Sequence, residues 1–210
     1  MDVLRKIKEE KVIAIVRGVS SENIIAVAKA LKDGGISCVE AAFDQKNADV
    51  YNDTLKSIRL MSEHFGSDMA IGAGTVMSVK NVEDAFGAGA RYIISPNVNF
   101  DVIRRTKQLG LVSIPGAATP SEAVWAKEAG ADIIKLFPAG EFGASYVKTV
   151  VTPLNHIPFF AVGNITEKNA PEFIRAGAAG VCVGRCVVNT ELIAQGRFDE
   201  ITAIARKFRF

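Results

Sequence analysis

One junction recurs along this chain. Ala88-Gly89-Ala90, Ala129-Gly130-Ala131 and Ala176-Gly177-Ala178 each stand between a helix-like stretch and a short apolar run, and Gly34-Gly35 does the same earlier. Glycine at such a point can end a helix in a left-handed turn, after which the chain enters a strand. The apolar runs that follow the pattern are eight: 12–16, 38–43, 70–75, 92–95, 111–114, 133–137, 159–162 and 181–183. Runs this short and this continuously apolar read as strands buried on both faces, the condition of a parallel sheet covered by helices.

The intervening segments carry helical spacing. Glu22 to Lys32 places Ile24, Ile25, Val27, Ala28 and Leu31 on one face, with Ser20 and Ser21 as expected caps and Asp33-Gly34-Gly35 as the stop. A second helix is predicted over 48–65. A third follows Thr119-Pro120-Ser121-Glu122, where an N-cap, a first-turn proline and an early acid coincide, and Trp125 is expected to pack it against the strands. A fourth is expected to open after Asn164-Ile165-Thr166-Glu167. The first residues, through Lys11, alternate charged and apolar groups and read as a short amphipathic helix instead of a signal peptide.

Eight strand–helix units in 210 residues, with no linker or composition shift, predict one α/β domain over residues 1–210: a (β/α)₈ TIM barrel preceded by a short helix. The rival is an open doubly wound sheet, but Val16-Arg17-Gly18-Val19-Ser20 is not the glycine-rich phosphate turn such folds carry after their first strand. The balance of 25 basic and 23 acidic residues gives no reason to expect nucleic acid or a membrane surface as partner. Cys38, Cys182 and Cys186 form no Cys-x-x-Cys pair and read as reduced thiols in apolar strand-like surroundings of a cytoplasmic protein. His64 and His156 read as surface residues, and no metal-ligand spacing is present.

In a barrel of this kind the chemistry lies at the C-terminal ends of the strands. Few polar residues fall there: Arg17, Glu40, Thr75, Ser95-Pro96-Asn97, Lys135, Gly163-Asn164 and Gly184-Arg185. Lys135, in Ile133-Ile134-Lys135-Leu136-Phe137, is the least expected of them. Burial disfavours the ammonium, and a free amine can condense with a carbonyl to form a Schiff base. Glu40 is its natural partner, either as a proton shuttle or as the other half of a structural ion pair filling the barrel. Arg17 could clamp a carboxylate or lie free at the surface. The glycines before Thr75 suggest a backbone close to a ligand or a tight turn, and Gly163 and Gly184 lie where such barrels bind phosphate through backbone N–H groups.

These residues resemble the bacterial 2-keto-3-deoxy-6-phosphogluconate (KDPG) and 4-hydroxy-2-oxoglutarate (KHG) aldolases nearly end to end. The likeness rests on Ile15-Val16-Arg17, Val39-Glu40, Ile71-Gly72-Ala73-Gly74-Thr75-Val76, Ile94-Ser95-Pro96, Ile114-Pro115-Gly116 and Ile134-Lys135-Leu136-Phe137-Pro138-Ala139. The resemblance implies a class I aldolase that needs no cofactor or metal, with a small 2-oxo acid as substrate and a homotrimeric assembly. It implies that Lys135 forms the Schiff base and Glu40 shuttles protons. It places Thr75 and Pro96 at the pyruvate end and makes Arg17 an active-site arginine; Phe137, Gly163, Asn164, Gly184 and Arg185 are the further expected substrate-binding residues. The remaining alternatives are a sugar-phosphate isomerase or epimerase without a covalent intermediate, and a non-catalytic oxo-acid-binding barrel. The chain departs from the family pattern at three places. After Glu40 the run Ala41-Ala42-Phe43-Asp44-Gln45 replaces a Thr then an Arg, or a Thr-rich segment, and an acid at 44 is a poor neighbour for a substrate carboxylate, which leaves that contact to Arg17; Val162-Gly163-Asn164 replaces Thr-Gly-Gly, and Gly184-Arg185 replaces a small Gly-Ser turn. These changes bear on the distal half of the substrate.

Overall fold

The computed structural model describes residues 2–210. Its strands are β1 (Val12–Val16), β2 (Cys38–Ala42), β3 (Ala70–Gly74), β4 (Tyr92–Ile94), β5 (Val112–Ile114), β6 (Gly116–Ala117), β7 (Ile134–Leu136), β8 (Phe159–Val162) and β9 (Gly180–Val183). All pairings are parallel, in the order β5-β4-β3-β2-β1-β9-β8-β7-β6. The fifth predicted strand is therefore two pieces. Pro115 separates them because proline has no N–H to give to a ladder. β5 pairs with β4, and β6 pairs with β7. Lys135 N still donates to Pro115 O at 2.9 Å, so the ring closes through the proline.

Helices run between the strands: α1 (Val3–Glu10), α2 (Ile24–Asp33), α3 (Ala48–Phe65), α4 (Val79–Gly87), α5 (Phe100–Gln108), α6 (Pro120–Glu128), α7 (Ala139–Val151), α8 (Ala170–Arg175), α9 (Thr190–Ala194) and α10 (Phe198–Ala205). The repeated glycine junctions take the conformation their sequence suggested. Gly35, Gly89, Gly130 and Gly177 have φ of +96, +100, +109 and +101°. α6 is capped as expected: Thr119 Oγ1 accepts from Glu122 N, and the Glu122 carboxylate accepts from Thr119 N.

Four local expectations are corrected. Ser20 and Ser21 do not cap α2 with their side chains. The helix starts at Ile24, and Ser21 N donates to Asp53 Oδ2 of α3 at 2.9 Å. The helix after β8 begins only at Ala170, because the Asn164–Asn169 segment is held by its own hydrogen bonds, with Thr166 N donating to Asn169 Oδ1 and Asn169 Nδ2 to Asn164 O. Trp125 is 53% exposed, on the outer side of α6, whose inward face is the small pair Ala123 and Ala126. Cys186 lies in the turn after β9, not in a strand, and is only partly buried.

Two apolar layers hold the barrel. The larger one lies between strands and helices and includes Val39, Ile71, Ile134, Phe159 and Val181 with Val27, Leu31, Ile58 and Val147. The smaller one fills the interior with Ile13, Cys38, Tyr92, Ile94, Ile114, Ile133, Phe160 and Cys182. Each large side chain so buried contributes roughly 1.5–3 kcal/mol. The N-terminal helix closes the bottom: Ile7 joins the interior cluster, and Glu10 accepts hydrogen bonds from the N–H groups of Ser37 and Cys38 at the start of β2. Inside, β3 presents only small residues. A β-carbon on Gly72 would lie 2.3–2.5 Å from three ring carbons of Tyr92. The ring is enclosed and rigid, so Gly72→Ala should destabilise the fold by about 1–3 kcal/mol, read from the urea midpoint. An unchanged midpoint would show that the interior layer can give way at this point.

Candidate active site

Counting round the ring, β2 and β7 face each other across the barrel. Glu40 on β2 is 2% exposed and Lys135 on β7 is 8% exposed, both pointing inward. They meet at the C-terminal mouth because every second residue of a strand faces the same way. The inward series 13, 15, 17 on β1 ends at Arg17, the series 38, 40 on β2 at Glu40, and 133, 135, 137 on β7 at Phe137.

All ten residues singled out from the sequence line one cavity of about 460 Å³: Arg17, Glu40, Thr75, Pro96, Lys135, Phe137, Gly163, Asn164, Gly184 and Arg185. It opens toward a cleft of about 780 Å³ that shares Arg17, Phe137, Gly163, Gly184 and Arg185 and extends to Asn189 and Glu191. Sequence reasoning missed Ile15, Val162, Ile165, Thr166, Cys182 and Cys186, which also line the inner cavity. Ile15, Val162 and Cys182 were legible in principle, since each sits two residues from a singled-out position on its strand. Thr166 and Cys186 reach the cavity through turns, for which alternation gives no signal.

Burial pushes the Glu40 carboxyl above its ordinary value, while Lys135 and then Arg17 pull it back down. Its Oε2 is buried without a hydrogen-bond partner. Neither Glu40 nor Lys135 takes part in any of the salt bridges among the described residues. The two groups therefore face the cavity and do not close on one another as a plug. Lys135 Nζ lies 5.0 Å from the centre of the Phe137 ring.

Arg17 is held in place. Its Nη2 donates to Thr75 Oγ1 at 2.6 Å and its Nη1 to Phe43 O at 3.4 Å. A guanidinium has five N–H donors, so three remain for a ligand. Thr75 has φ +58°, an uncommon conformation for a β-branched residue, and its carbonyl accepts from Gln45 Nε2 at 2.7 Å. Strain of this kind persists where the surroundings impose it, commonly beside a site. Asp44 does not crowd the arginine as a free acid. Its Oδ1 accepts from Lys46 N and Asn47 N, and these bonds lower its pKa. At the distal side Asn164 has φ +50° and its Nδ2 donates to Glu141 Oε1 of α7. Among the described residues no cluster of three or more His, Cys, Asp or Glu could hold a metal ion, and no helix is long and apolar enough to cross a membrane.

Residues 3–204 match the family model "KDPG and KHG aldolase". The chain belongs to this aldolase family. It is 35% identical over 193 residues to 2-dehydro-3-deoxy-6-phosphogalactonate aldolase of Escherichia coli K12, covering 91% of this chain and 89% of that one. It is 29% identical to the 2-dehydro-3-deoxy-phosphogluconate aldolase of Treponema pallidum, covering 98% and 95%. Among solved structures it is similar to KDPG aldolase from Legionella pneumophila, captured with pyruvate as a covalent carbinolamine intermediate, with a TM-score of 0.88, 26% identity and coverage of 100% and 99%. The chain is thus an aldolase, a carbon–carbon lyase of the Schiff-base class, on a barrel of TIM type.

Glu40 gives this family member a pH signature. In the unfolded chain the carboxyl ionises near its ordinary value of 4.5; in the folded chain it ionises higher. Between the two the folded state binds more protons, so this group's contribution to stability falls as pH rises. Glu40→Gln should raise Tm relative to wild type at pH 8, with the gain disappearing toward pH 4. A gain of equal size at both pH values would contradict the buried-carboxyl account.

Proposed function

We propose that this aldolase cleaves 2-oxo-3-deoxy-6-phospho sugar acids, of the galactonate or gluconate series, to pyruvate and glyceraldehyde 3-phosphate through a Schiff base on Lys135. 4-Hydroxy-2-oxoglutarate, giving pyruvate and glyoxylate, is a second substrate of the same chemistry. The observation that carries the reading is the burial of Lys135 and Glu40 on opposite strands facing a single cavity at the mouth of the barrel.

The Lys135 amine adds to the C2 ketone and gives a carbinolamine. Glu40, whose burial favours the protonated carboxyl, donates the proton with which the hydroxyl leaves as water, and a protonated imine remains. The resulting carboxylate, acting through a water, takes the proton of the C4 hydroxyl. The C3–C4 bonding pair then flows into the imine, the aldehyde departs, and a pyruvate enamine remains on Lys135. Glu40 returns the proton to C3, and hydrolysis releases pyruvate and the amine. The three free N–H donors of Arg17 hold the substrate carboxylate at the C1 end. Arg185, exposed at the distal side of the cavity, supplies the counter-charge for phosphate or for the second carboxylate. The same reading carries a homotrimer working in the cytoplasm; the three unpaired cysteines suit a reducing compartment, and the mass in solution reads the oligomer directly.

Borohydride added with pyruvate should reduce the imine and leave a stable adduct on a peptide containing Lys135, while Lys135→Ala should lose both adduct and turnover. An intact Lys135→Ala enzyme would sink the mechanism. Pyruvate release measured across phosphorylated sugar acids, their unphosphorylated forms and 4-hydroxy-2-oxoglutarate should favour the phosphorylated compounds. Loss of a charge-assisted bond is worth roughly 1.5–3 kcal/mol, about 10- to 100-fold, so Arg185→Ala should raise KM for them by that factor. An unchanged KM would remove Arg185 from the site.

A further inference from the structure

Glu40 is in register with Gly72 on the neighbouring strand, and Ala42 is in register with Gly74. Yet the Glu40 carboxyl does not lie over Gly72. That place is taken by the Tyr92 ring, whose carbons stand 2.3–2.5 Å from where a β-carbon on Gly72 would be. The carboxyl instead leans one inward position toward the mouth and lies on Gly74. A β-carbon on Gly74 would sit 2.5 Å from Glu40 Oε1, 2.7 Å from its Cδ and 3.1 Å from Oε2. Oε1 and Cδ are inside the range that real β-carbons essentially never enter, and Oε2 is closer than most real β-carbon contacts. Gly74 has no positive φ, so backbone conformation gives no reason for glycine here. The reason lies in the space above it.

From this close approach we infer that Gly74 is a positioning residue: its missing side chain is the seat that sets the height of the Glu40 carboxyl in the barrel. Tyr92 forms the floor of this seat, because the enclosed ring prevents the carboxyl from dropping to the level of Gly72. Lys135 faces it from β7 and Arg17 from the end of β1, with Cys182 on β9 also lining the cavity. A methyl group at position 74 leaves the carboxyl no place at its present height. It must swing toward the centre of the cavity, which changes its distance to Lys135 and to the C2 and C4 oxygens of the substrate. The obstructed atoms are the far end of a flexible side chain, so the swing costs the fold less than the rigid overlap at Gly72. Two glycines two residues apart on one strand thus serve different ends, one for packing and one for catalysis. The inference rests on the reading of Glu40 as the proton shuttle.

The test is a set of four purified variants assayed for pyruvate release, for the rate of borohydride-trappable adduct formation with pyruvate, and for Tm: Gly74→Ala, Glu40→Ala, the pair of them together, and Gly87→Ala as a control, since a β-carbon on Gly87 meets nothing within 4 Å. Gly74→Ala should fold, keep its KM within a few-fold, and lose kcat and adduct-forming rate on the order of 10²-fold, the cost of a displacement of about 1 Å in a catalytic group. In the Glu40→Ala background the same substitution should cause no further loss, because the group it displaces is gone. Gly87→Ala should match wild type. Full activity in Gly74→Ala beside a disabled Glu40→Ala overturns the inference and leaves the mechanism standing; so does an equal further loss in the double variant. Full activity in Glu40→Ala overturns the mechanism and the inference with it. Should Gly74→Ala alone fail to fold, the double variant decides: recovery of the fold on removing the Glu40 side chain supports the seat, and failure to recover overturns it.

Discussion

A carboxyl group inside a closed parallel barrel is the constraint on which the other features of this structure depend. Taking Glu40 out of water raises the free energy of its charged form, and the protein does not cancel that cost with a direct ion pair. It sets Lys135 and Arg17 at the mouth so that their fields offset part of the desolvation and leaves one carboxyl oxygen without a partner. A closed salt bridge would have tied the two groups to each other instead of turning them to the cavity. The open arrangement leaves both the carboxyl and the amine of Lys135 facing the cavity.

The rest of the interior is shaped to tolerate this. Below the site the barrel is filled with apolar groups and closed by Ile7 from the N-terminal helix. At the level of the site β3 withdraws all bulk, which lets the Tyr92 ring lie over Gly72 and the Glu40 carboxyl over Gly74, one position nearer the mouth. Above it, the loops after β2 and β3 bind each other: Gln45 holds the carbonyl of the strained Thr75, and Thr75 in turn holds Arg17. The arginine is therefore oriented by backbone and side chains of two loops before any substrate arrives, which reduces the ordering cost of binding.

Much of this was legible in the residues. The eight apolar runs set the number of units, and the glycine junctions marked where helices end and buried strands begin, because glycine takes the positive φ that such an abrupt change needs. Lys135 and Glu40 stood out because charged residues in apolar runs are costly without a use. Other features were not legible. The break of the fifth strand at Pro115 depends on which of its faces must hydrogen-bond to close the ring. The outward position of Trp125 depends on how near α6 approaches the barrel, and its inward alanines bring it too close for an indole. The late start of α8 follows from Asn169 capping a loop in place of a helix. That two backbone N–H groups hold Asp44 Oδ1 was not legible either, because the turn that brings them there has no signal in the alternation of the strand.

The sequence by itself determined the class of fold, the strand ends where polar residues gather and the two charged residues set in apolar runs, because periodicity and the cost of buried charge are local properties of a chain. Only the tertiary structure decided how those residues meet. It placed β2 and β7 across from each other, seated the Glu40 carboxyl on Gly74 instead of Gly72, and tied Arg17 to Thr75 and Phe43. These relations join residues far apart in the chain, and they are fixed by which side chains can share the limited volume of a closed barrel.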